Sequence, residues 1–540
     1  MDVLILAAGL STRLSKFTHN LLPKYLIDLD GYNGLYYLIK YWKKYSNKIF
    51  LVIHSKYNLI TKSYIKNILE DYINKIIIIN YDTSDGTAYT LNKILNSHLN
   101  SYSIKNLLIT WCDIYPLDNF SLLKTNNQTN NIHIFTYGNE CRYILDNKNK
   151  INESDNGNIV GIYYFENYRK INLEELTKED LYGKDIVEYL KYIGNIYNYK
   201  INNIFDYGDE SKLLKILSNN LLINSLNKFK HRYFNKIEII NEDKLLKKSV
   251  NNKGYNIISF EKKWHLHINK LSNNESVKSL LPEIYEILDD GFVMEYKKNY
   301  ISVYEYLKNN NELNINENIL DNIILNINKI HCLDKKEIDK NNFYDNLKKE
   351  INDKLYDRKL LINDYLDYFS NIKIVNDIKI DSFDTILLKC KKIIYDYYEN
   401  KNEYIYSIIL GDSQFSNILI DKNDITKICF IDPRGYFGNS KIYGPIEYDY
   451  AKILYAISGY DFFNNNYFNL KDINIDPNKS FINFEIEKIN YSKEILDKYF
   501  EKVHEAFVVL IWLSLPEYNK NNIWKCIGSY YYGLYLGTLL

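Results

Sequence analysis

The run Leu6-Ala7-Ala8-Gly9-Leu10-Ser11-Thr12-Arg13-Leu14, followed by Pro23-Lys24, joins a glycine-containing stretch of small residues to two fixed positive charges. Placed after the apolar Val3-Leu4-Ile5-Leu6, it reads as a strand opening into a loop. The loop's backbone N–H groups can approach an anion while Arg13 and Lys24 add charge. Such parts suit a triphosphate. Nucleotidyl transfer joins a phosphate nucleophile to the α-phosphorus of a nucleoside triphosphate and expels pyrophosphate, so it also needs carboxylates for Mg²⁺. Asp113, just beyond the strand-like Leu107-Leu108-Ile109-Thr110, can supply one, and Asp206 in Ile204-Phe205-Asp206-Tyr207-Gly208-Asp209 another.

A second constellation lies far downstream, in Gly411-Asp412-Ser413-Gln414-Phe415-Ser416-Asn417 and Ile431-Asp432-Pro433. Phosphoryl transfer from ATP to a hydroxyl needs a carboxylate near the acceptor, ligands for metal on the β- and γ-phosphates, and a lysine on the triphosphate. Asp412 can orient or deprotonate the acceptor hydroxyl. Asn417 can reach a metal, and Asp432, after Lys427-Ile428-Cys429-Phe430-Ile431, is the principal metal ligand in this reading.

The elements that must position these residues follow from hydrophobic patterning. Val3–Leu6, Ile49–Ile53, Ile76–Ile79, Leu107–Thr110, Ile132–Thr136 and Ile159–Phe165 read as strands, with helices near Leu35–Tyr45, Ile60–Tyr72 and Tyr89–Leu95. That alternation predicts a mostly parallel sheet with its ligand crevice at the carboxyl ends of the strands. From about Lys228 the pattern changes. Ile237–Ile240, Lys244–Val250 and Tyr255–Phe260 read as a small antiparallel set, followed by a helix carrying Glu261 and Trp264. Gly291–Tyr296 reads as a further strand, and from Val303 onward the chain is mainly helical. Loop-like patches at Ser218–Asn227 and Asn269–Glu275 punctuate it, the first marking a domain boundary that divides 1–225 from 226–540.

At 540 residues the chain exceeds one ordinary core. Lys plus Arg and Asp plus Glu both number 68, without a basic block of the extent a nucleic-acid footprint requires, so nucleic acid is not expected as a partner. The six cysteines are scattered without C-x-x-C spacing, which suggests reduced thiols in a cytosol-like compartment. No signal peptide is read at the amino terminus. Ala506–Leu515 is too short for a membrane span and reads as a buried helix. His265 and His267, at i,i+2, do not share a helix face, and His331-Cys332 sits in the amphipathic run Ile323–Leu333, so none is taken as a metal or catalytic group. Arg434 is left open between a substrate contact and a local salt bridge.

Leu6–Leu14 with Lys24, Asp113 and Asp206 in order resembles the signature of the sugar-1-phosphate nucleotidyltransferase family, over roughly residues 1–217, and Asp85-Gly86-Thr87-Ala88 resembles that family's nucleotide-contacting turn. The resemblance implies a Rossmann-like α/β domain that depends on Mg²⁺. Ala8, Gly9, Ser11, Thr12 and Arg13 would lie on the phosphates, Lys24 on the α-phosphate or the attacking phosphate, Gly86 and Thr87 on the nucleotide, and Asp113 and Asp206 on the metal. Ser11 stands where the family usually has Gly; its hydroxyl can donate to the same phosphate oxygen.

Residues 234–540 resemble the aminoglycoside phosphotransferase and choline kinase family, relatives of the protein kinases. This implies an α+β two-lobed protein-kinase-like domain, with a small lobe near 230–298 and a large one over 299–540. Lys247 on a strand, preferred to Lys248, and Glu261 on the next helix look like the ATP lysine and its ion-pair partner. Met294-Glu295-Tyr296 looks like the hinge that meets adenine, placing Glu295 on the nucleotide. Asp449 resembles a helix-start acid with a structural role. Leu410 departs from the family, which commonly has His there.

A kinase that makes a phosphate ester and a transferase that consumes one catalyse consecutive steps. The expectation is therefore a bifunctional cytoplasmic enzyme using ATP, an NTP and Mg²⁺ at both sites. It would phosphorylate a sugar or alcohol, most simply a sugar at its anomeric hydroxyl, then form an NDP-sugar for surface glycan or capsule assembly. The alternatives are choline phosphorylation followed by cytidylyl transfer to give CDP-choline, and a nucleotide-binding scaffold with a degenerate kinase half. The nucleobase and homo-oligomerisation are left open.

Overall fold

The computed structural model describes residues 1–29, 31–82, 86–118, 131–168, 178–190, 195–219, 235–271, 275–309, 317–369, 372–465, 468–489 and 491–540. Asp85, the expected boundary at 225/226 and most of the two loop-like patches that flank the small antiparallel set lie outside them. The chain divides into two compact units, one comprising Met1–Asn224 with Lys520–Ile523 and the other Ser225–Asn519 with Trp524–Leu540.

In the first unit, β1 (Asp2–Ala7), β2 (Ile49–Ile53), β3 (Ile76–Asn80) and β4 (Leu107–Trp111) form a parallel block. Every residue of β1 and β2 is buried, the pattern of strands covered on both faces. Val3 stands opposite Ile49 on one side and Leu108 on the other. With β5 (Ile114–Pro116), β6 (Asn131–Leu145), β7 (Ile151–Phe165), β8 (Asn195–Lys200) and β9 (Ile204–Asp206), the main sheet runs β3-β2-β1-β4-β7-β6-β8 and β5 pairs with β9. The chain moves outward from β1 through β2 to β3, then returns to β4 on the opposite side of β1. The strand order therefore reverses between β1 and β4, and in such sheets it is beyond the carboxyl ends at this reversal that ligands bind.

The sheet is parallel-rich but mixed, because β4 and β6 each pair antiparallel with β7. Strands β6 and β7 run 15 residues each, well past the apolar segments that mark them in sequence, since residues 137–142 and 152–156 are mostly exposed before Tyr143, Leu145 and Ile151 return to the core. The half-exposed edge strand β8 carries no apolar run and escaped the pattern altogether. Helix α1 (Gly34–Trp42) ends close to expectation, whereas α2 (Asn58–Ile68) stops short of Tyr72, which belongs to a following 3₁₀ turn. After β3, α3 (Thr87–Lys93) completes the βα pattern.

The second unit begins with a four-stranded antiparallel sheet, β10 (Asn235–Ile239), β11 (Lys244–Ser249), β12 (Ile284–Ile287) and β13 (Gly291–Glu295), in the order β10-β11-β13-β12. Tyr255–Phe260, expected as a strand, is instead part of α4 (Asn252–Leu271). Gly254, Ile258, Glu261, His265 and Ile268 are buried at helical spacing, and Ile258 packs with Leu245, Phe292 and Met294. Burial of one helix stripe thus overrides the strand preference of Ile257-Ile258. His265 is buried while His267 meets the Tyr443 hydroxyl at 2.7 Å, so the two point apart. Beyond lie α5 (Glu317–His331), the antiparallel pair β14 (Ile418–Asp421) and β15 (Ile428–Phe430), α6 (Ile446–Ile457) and α7 (Lys502–Ser514). Eleven of the thirteen residues of α7 are buried, as expected for Ala506–Leu515. Among the described residues no helix is long and apolar enough to cross a membrane. All six cysteines are free thiols.

At the start of α7, the Glu501 N–H donates to His504 Nδ1 at 2.7 Å, one half of a capping box. Burial pushes the His504 imidazole down to about 4. A histidine held neutral contributes stability that is complete above its unfolded value near 6.5. That contribution is lost as pH falls toward 4, because the unfolded chain takes up the proton first, at up to ~1.4 kcal/mol per pH unit. The stability deficit of His504→Gln, measured by urea midpoints, is expected to narrow between pH 7.5 and 4.5; a deficit constant with pH contradicts this.

Candidate functional site

At the carboxyl end of β1 the backbone turns sharply. Ser11 sits in the left-handed region at φ 60°, followed by one 3₁₀ turn, Thr12–Leu14, on which Thr12 and Arg13 are exposed. Left-handed geometry normally favours glycine, so a serine here needs something to hold it. What holds Ser11 there is its side chain: Oγ accepts the Lys24 N–H at 2.8 Å. The hydroxyl expected to face a phosphate therefore already ties the loop to the lysine segment. Ala8 is half-buried and Gly9 exposed, leaving the loop backbone accessible.

Lys24 Nζ forms an ion pair with Asp113 Oδ2 just beyond β4, so the loop after β1 and the carboxylate after β4 meet where strand order reverses. Burial presses the Lys24 pKa down, but the charge and hydrogen bond of Asp113 together with the nearby Cys112 and Asp206 outweigh it, and the net shift is upward. The β5/β9 pair sets Asp206 opposite Ile114, and the Tyr207 hydroxyl donates to the Cys112 carbonyl at 2.9 Å. The two carboxylates converge on Gly208, where a Cβ would lie 2.8 Å from Asp113 Oδ2 and 3.2 Å from Asp206 Oδ1. Asp206 is held by Lys212 Nζ at 2.5 Å; burial nonetheless pushes its carboxyl up. Two converging carboxylates, each with an ammonium in attendance, match a hard dication that completes its shell with water and phosphate oxygens. Among the described residues no group of three or more His, Cys, Asp or Glu gathers as a self-contained metal cage.

Gly86 and Thr87 start α3. Gly86, at φ 91°, packs so closely on Gly183 that a Cβ would lie 2.9 Å from its backbone. Thr87 Oγ1 accepts the Ile186 N–H at 2.9 Å.

In the second unit, Lys247 lies on β11 opposite Phe292 of β13 and points inward. Its Nζ meets Glu261 on α4 at 2.7 Å and Asp432 at 2.8 Å. Lys248, on the other face, is half-exposed and pairs with Glu238 at 3.3 Å. Burial opposes the charge on Lys247, yet the facing carboxylates of Asp432 and Glu261 move its pKa upward, so the ammonium stays charged. Burial, with the Lys247 charge beside it, pushes His265 down to about 3, leaving it neutral.

Asp432 occupies the left-handed region at φ 55° directly after β15, and the Ile431 N–H donates to the Asn417 carbonyl at 3.0 Å. The β14/β15 pairing thereby brings Asn417 and Asp432 together. Asn417 Nδ2 donates to the Asp412 carbonyl at 2.9 Å and to Asp412 Oδ2 at 3.2 Å, so Asp412, Asn417, Asp432, Lys247 and Glu261 form one linked cluster. Glu295, at the end of β13, binds Lys297 at 2.7 Å and is not part of it.

Two contributors were not read from sequence, and a third, His331, was read only as part of an amphipathic helix. Lys212 and Lys452 each hold a site carboxylate, with Lys452 Nζ 2.8 Å from Asp412 Oδ1. His331 lies 3.0 Å from Asp449 Oδ2, and Asp449 accepts the N–H groups of Leu410 at 2.9 Å and Gly411 at 2.6 Å. A histidine from α5 thus supports the loop that carries Leu410. Only the spacing of Asp449 and Lys452, neighbours on one helix face, was visible beforehand. Arg434, left open above, makes a bidentate pair with buried Glu350 at 2.7 and 2.8 Å.

No protein-family model and no curated protein matches the chain. Among solved structures, it is similar to a Bacillus anthracis protein assigned as a glucose-1-phosphate thymidylyltransferase, in complex with sucrose, at 18% identity and TM-score 0.35, covering 43% of this chain and 98% of that one. It is also similar to HddC from Yersinia pseudotuberculosis complexed with GMP-PN, at 20% identity and TM-score 0.31 over 41% of this chain and 99% of that chain. A third similarity is to the CTP:phosphocholine cytidylyltransferase LicC of Streptococcus pneumoniae, at 16% identity and TM-score 0.30 over 41% of this chain and 98% of that one.

Removing one partner of a buried ion pair leaves an uncompensated charge, at a cost of about 3–5 kcal/mol. Lys24→Met is expected to lower the urea midpoint of the first unit, and adding Asp113→Asn to restore most of the loss. Equal, additive losses in the double-mutant cycle contradict the coupling.

Proposed function

We propose that the chain is a bifunctional enzyme whose second unit phosphorylates a small hydroxylated substrate with ATP and whose first unit transfers a nucleotidyl group onto the product. In the favoured form the substrate is a sugar phosphorylated at its anomeric hydroxyl, and the final product is an NDP-sugar for surface glycan or capsule assembly. One observation carries the reading: each unit separately gathers carboxylates around a lysine where a phosphate-bearing ligand can meet them.

In the first unit the sugar phosphate oxygen attacks the α-phosphorus, the bond from that phosphorus to the β-phosphate bridging oxygen breaks, and pyrophosphate departs. The loop Ala8–Arg13 binds the triphosphate, and Lys24 moves from Asp113 to the phosphate that bears charge in the transition state. Asp113 and Asp206 would hold Mg²⁺, which supplies charge neutralisation at the phosphates. Gly86 and Thr87 border the nucleoside.

In the second unit the acceptor hydroxyl oxygen attacks the γ-phosphorus, its proton passes to Asp412, and ADP departs. Lys247, oriented by Glu261, binds the triphosphate, and the Glu295 segment borders the base. Asn417 and Asp432 would hold Mg²⁺, which would supply charge neutralisation for the transferred phosphoryl group.

The full-length protein is to be incubated with Mg-ATP, each NTP in turn, and sugars or choline, with products identified by mass spectrometry. Asp113→Asn is expected to reduce formation of the nucleotide-linked product at least a hundredfold while sparing ATP-dependent phosphorylation. Asp412→Asn is expected to do the reverse when phosphorylated substrate is supplied. Loss of both activities from either folded variant contradicts two separate sites, a choline-linked product selects the CDP-choline alternative, and nucleotide binding without turnover selects the scaffold.

A further inference from the structure

We infer that Lys452 is a catalytic residue of the phosphorylation site, donating to the γ-phosphoryl group as it passes to the acceptor hydroxyl; this rests on the kinase reading above. Three observations support the assignment. Lys452 Nζ lies 2.8 Å from Asp412 Oδ1, on the carboxylate oxygen opposite the one that Asn417 approaches at 3.2 Å. Its side chain is only 11% exposed, so its charge sits where water screens weakly. It also stands one turn after Asp449 on α6, and Asp449 clamps the backbone of Leu410 and Gly411 while the Ser413 hydroxyl donates to the Asp449 carbonyl at 2.9 Å. One turn of helix therefore fixes both the loop that bears Asp412 and the ammonium beside it.

Geometry directs that ammonium toward the reacting atoms. If Asp412 takes the acceptor proton, the attacking oxygen lies within about 3 Å of the carboxylate and the γ-phosphorus about 3–3.5 Å farther. An ammonium on the same carboxylate, on a flexible four-carbon stem, is within reach of a nonbridging γ-oxygen. Lys247, which the kinase reading places on the triphosphate, pairs with Glu261 and Asp432. The attacking oxygen gains the phosphorus and loses its proton to Asp412, the bond from the γ-phosphorus to the bridging oxygen breaks, and ADP carries away that electron pair. Lys452 stays protonated throughout and exchanges its partner from Asp412 to the phosphoryl oxygens.

The test uses the full-length protein with Mg-ATP and the acceptor that it phosphorylates. Lys452→Ala is expected to lower kcat for phosphorylation about a hundredfold, with KM for ATP changed less than threefold, and added ethylammonium is expected to restore part of the lost rate. Lys452→Arg, which keeps the charge, is expected to retain at least a tenth of wild-type kcat and controls for misfolding of the alanine variant. A Lys452→Ala protein with wild-type kcat, or an equal loss in both variants without rescue by the amine, overturns the inference and leaves the kinase reading intact. Absence of ATP turnover in the wild type with every acceptor overturns the kinase reading and this inference together.

Discussion

A carboxylate drawn out of water needs a cation or a set of hydrogen bonds beside it, and both candidate sites meet that constraint with lysines. Asp113 has Lys24, Asp206 has Lys212, Asp432 and Glu261 share Lys247, and Asp412 has Lys452. Each lysine makes its carboxylate tolerable in the protein by itself, so the ammonium groups serve as structural counter-ions of both clusters.

The backbone supplies the convergence by different means in the two units. In the first, reversal of strand order between β1 and β4 puts the ends of two adjacent parallel strands side by side, and the β5/β9 ribbon carries Asp206 to the same place. In the second, an antiparallel sheet positions Lys247, a helix positions Glu261, and the β14/β15 hairpin closes Asn417 onto Asp432. The helical surroundings add rigidity through polar contacts to the backbone, with Asp449 and Asp461 accepting N–H groups from Leu410, Gly411, Phe415 and Ser416 around Asp412.

Much of this was legible in the sequence, for a physical reason. Loops that hold phosphate and carboxylates at strand ends are local features: a glycine among small residues, or an acid one step past an apolar run, is written in consecutive letters. Gly9, Asp113, Asp412 and Asp432 were read in that way, and the first four parallel strands followed from unbroken apolar runs. Lys212 and Lys452 were not read and His331 was set aside as helix packing; Lys452 reaches Asp412 across 40 positions and His331 reaches Asp449 across 118, distances that only folding closes. Tyr255–Phe260 misled because β-branched residues state a preference that burial of Ile258 and Glu261 on one helix stripe overrules. Strand β8 was silent since an edge strand needs no continuous apolar run.

Ser11 unites a backbone shape and a charge. Because its hydroxyl receives the amide of Lys24, a left-handed bend and a distant ammonium are parts of one jaw. Anything that reshapes the bend also shifts the Lys24 backbone, so the shape of the loop and the origin of its nearest buried ammonium are not set independently.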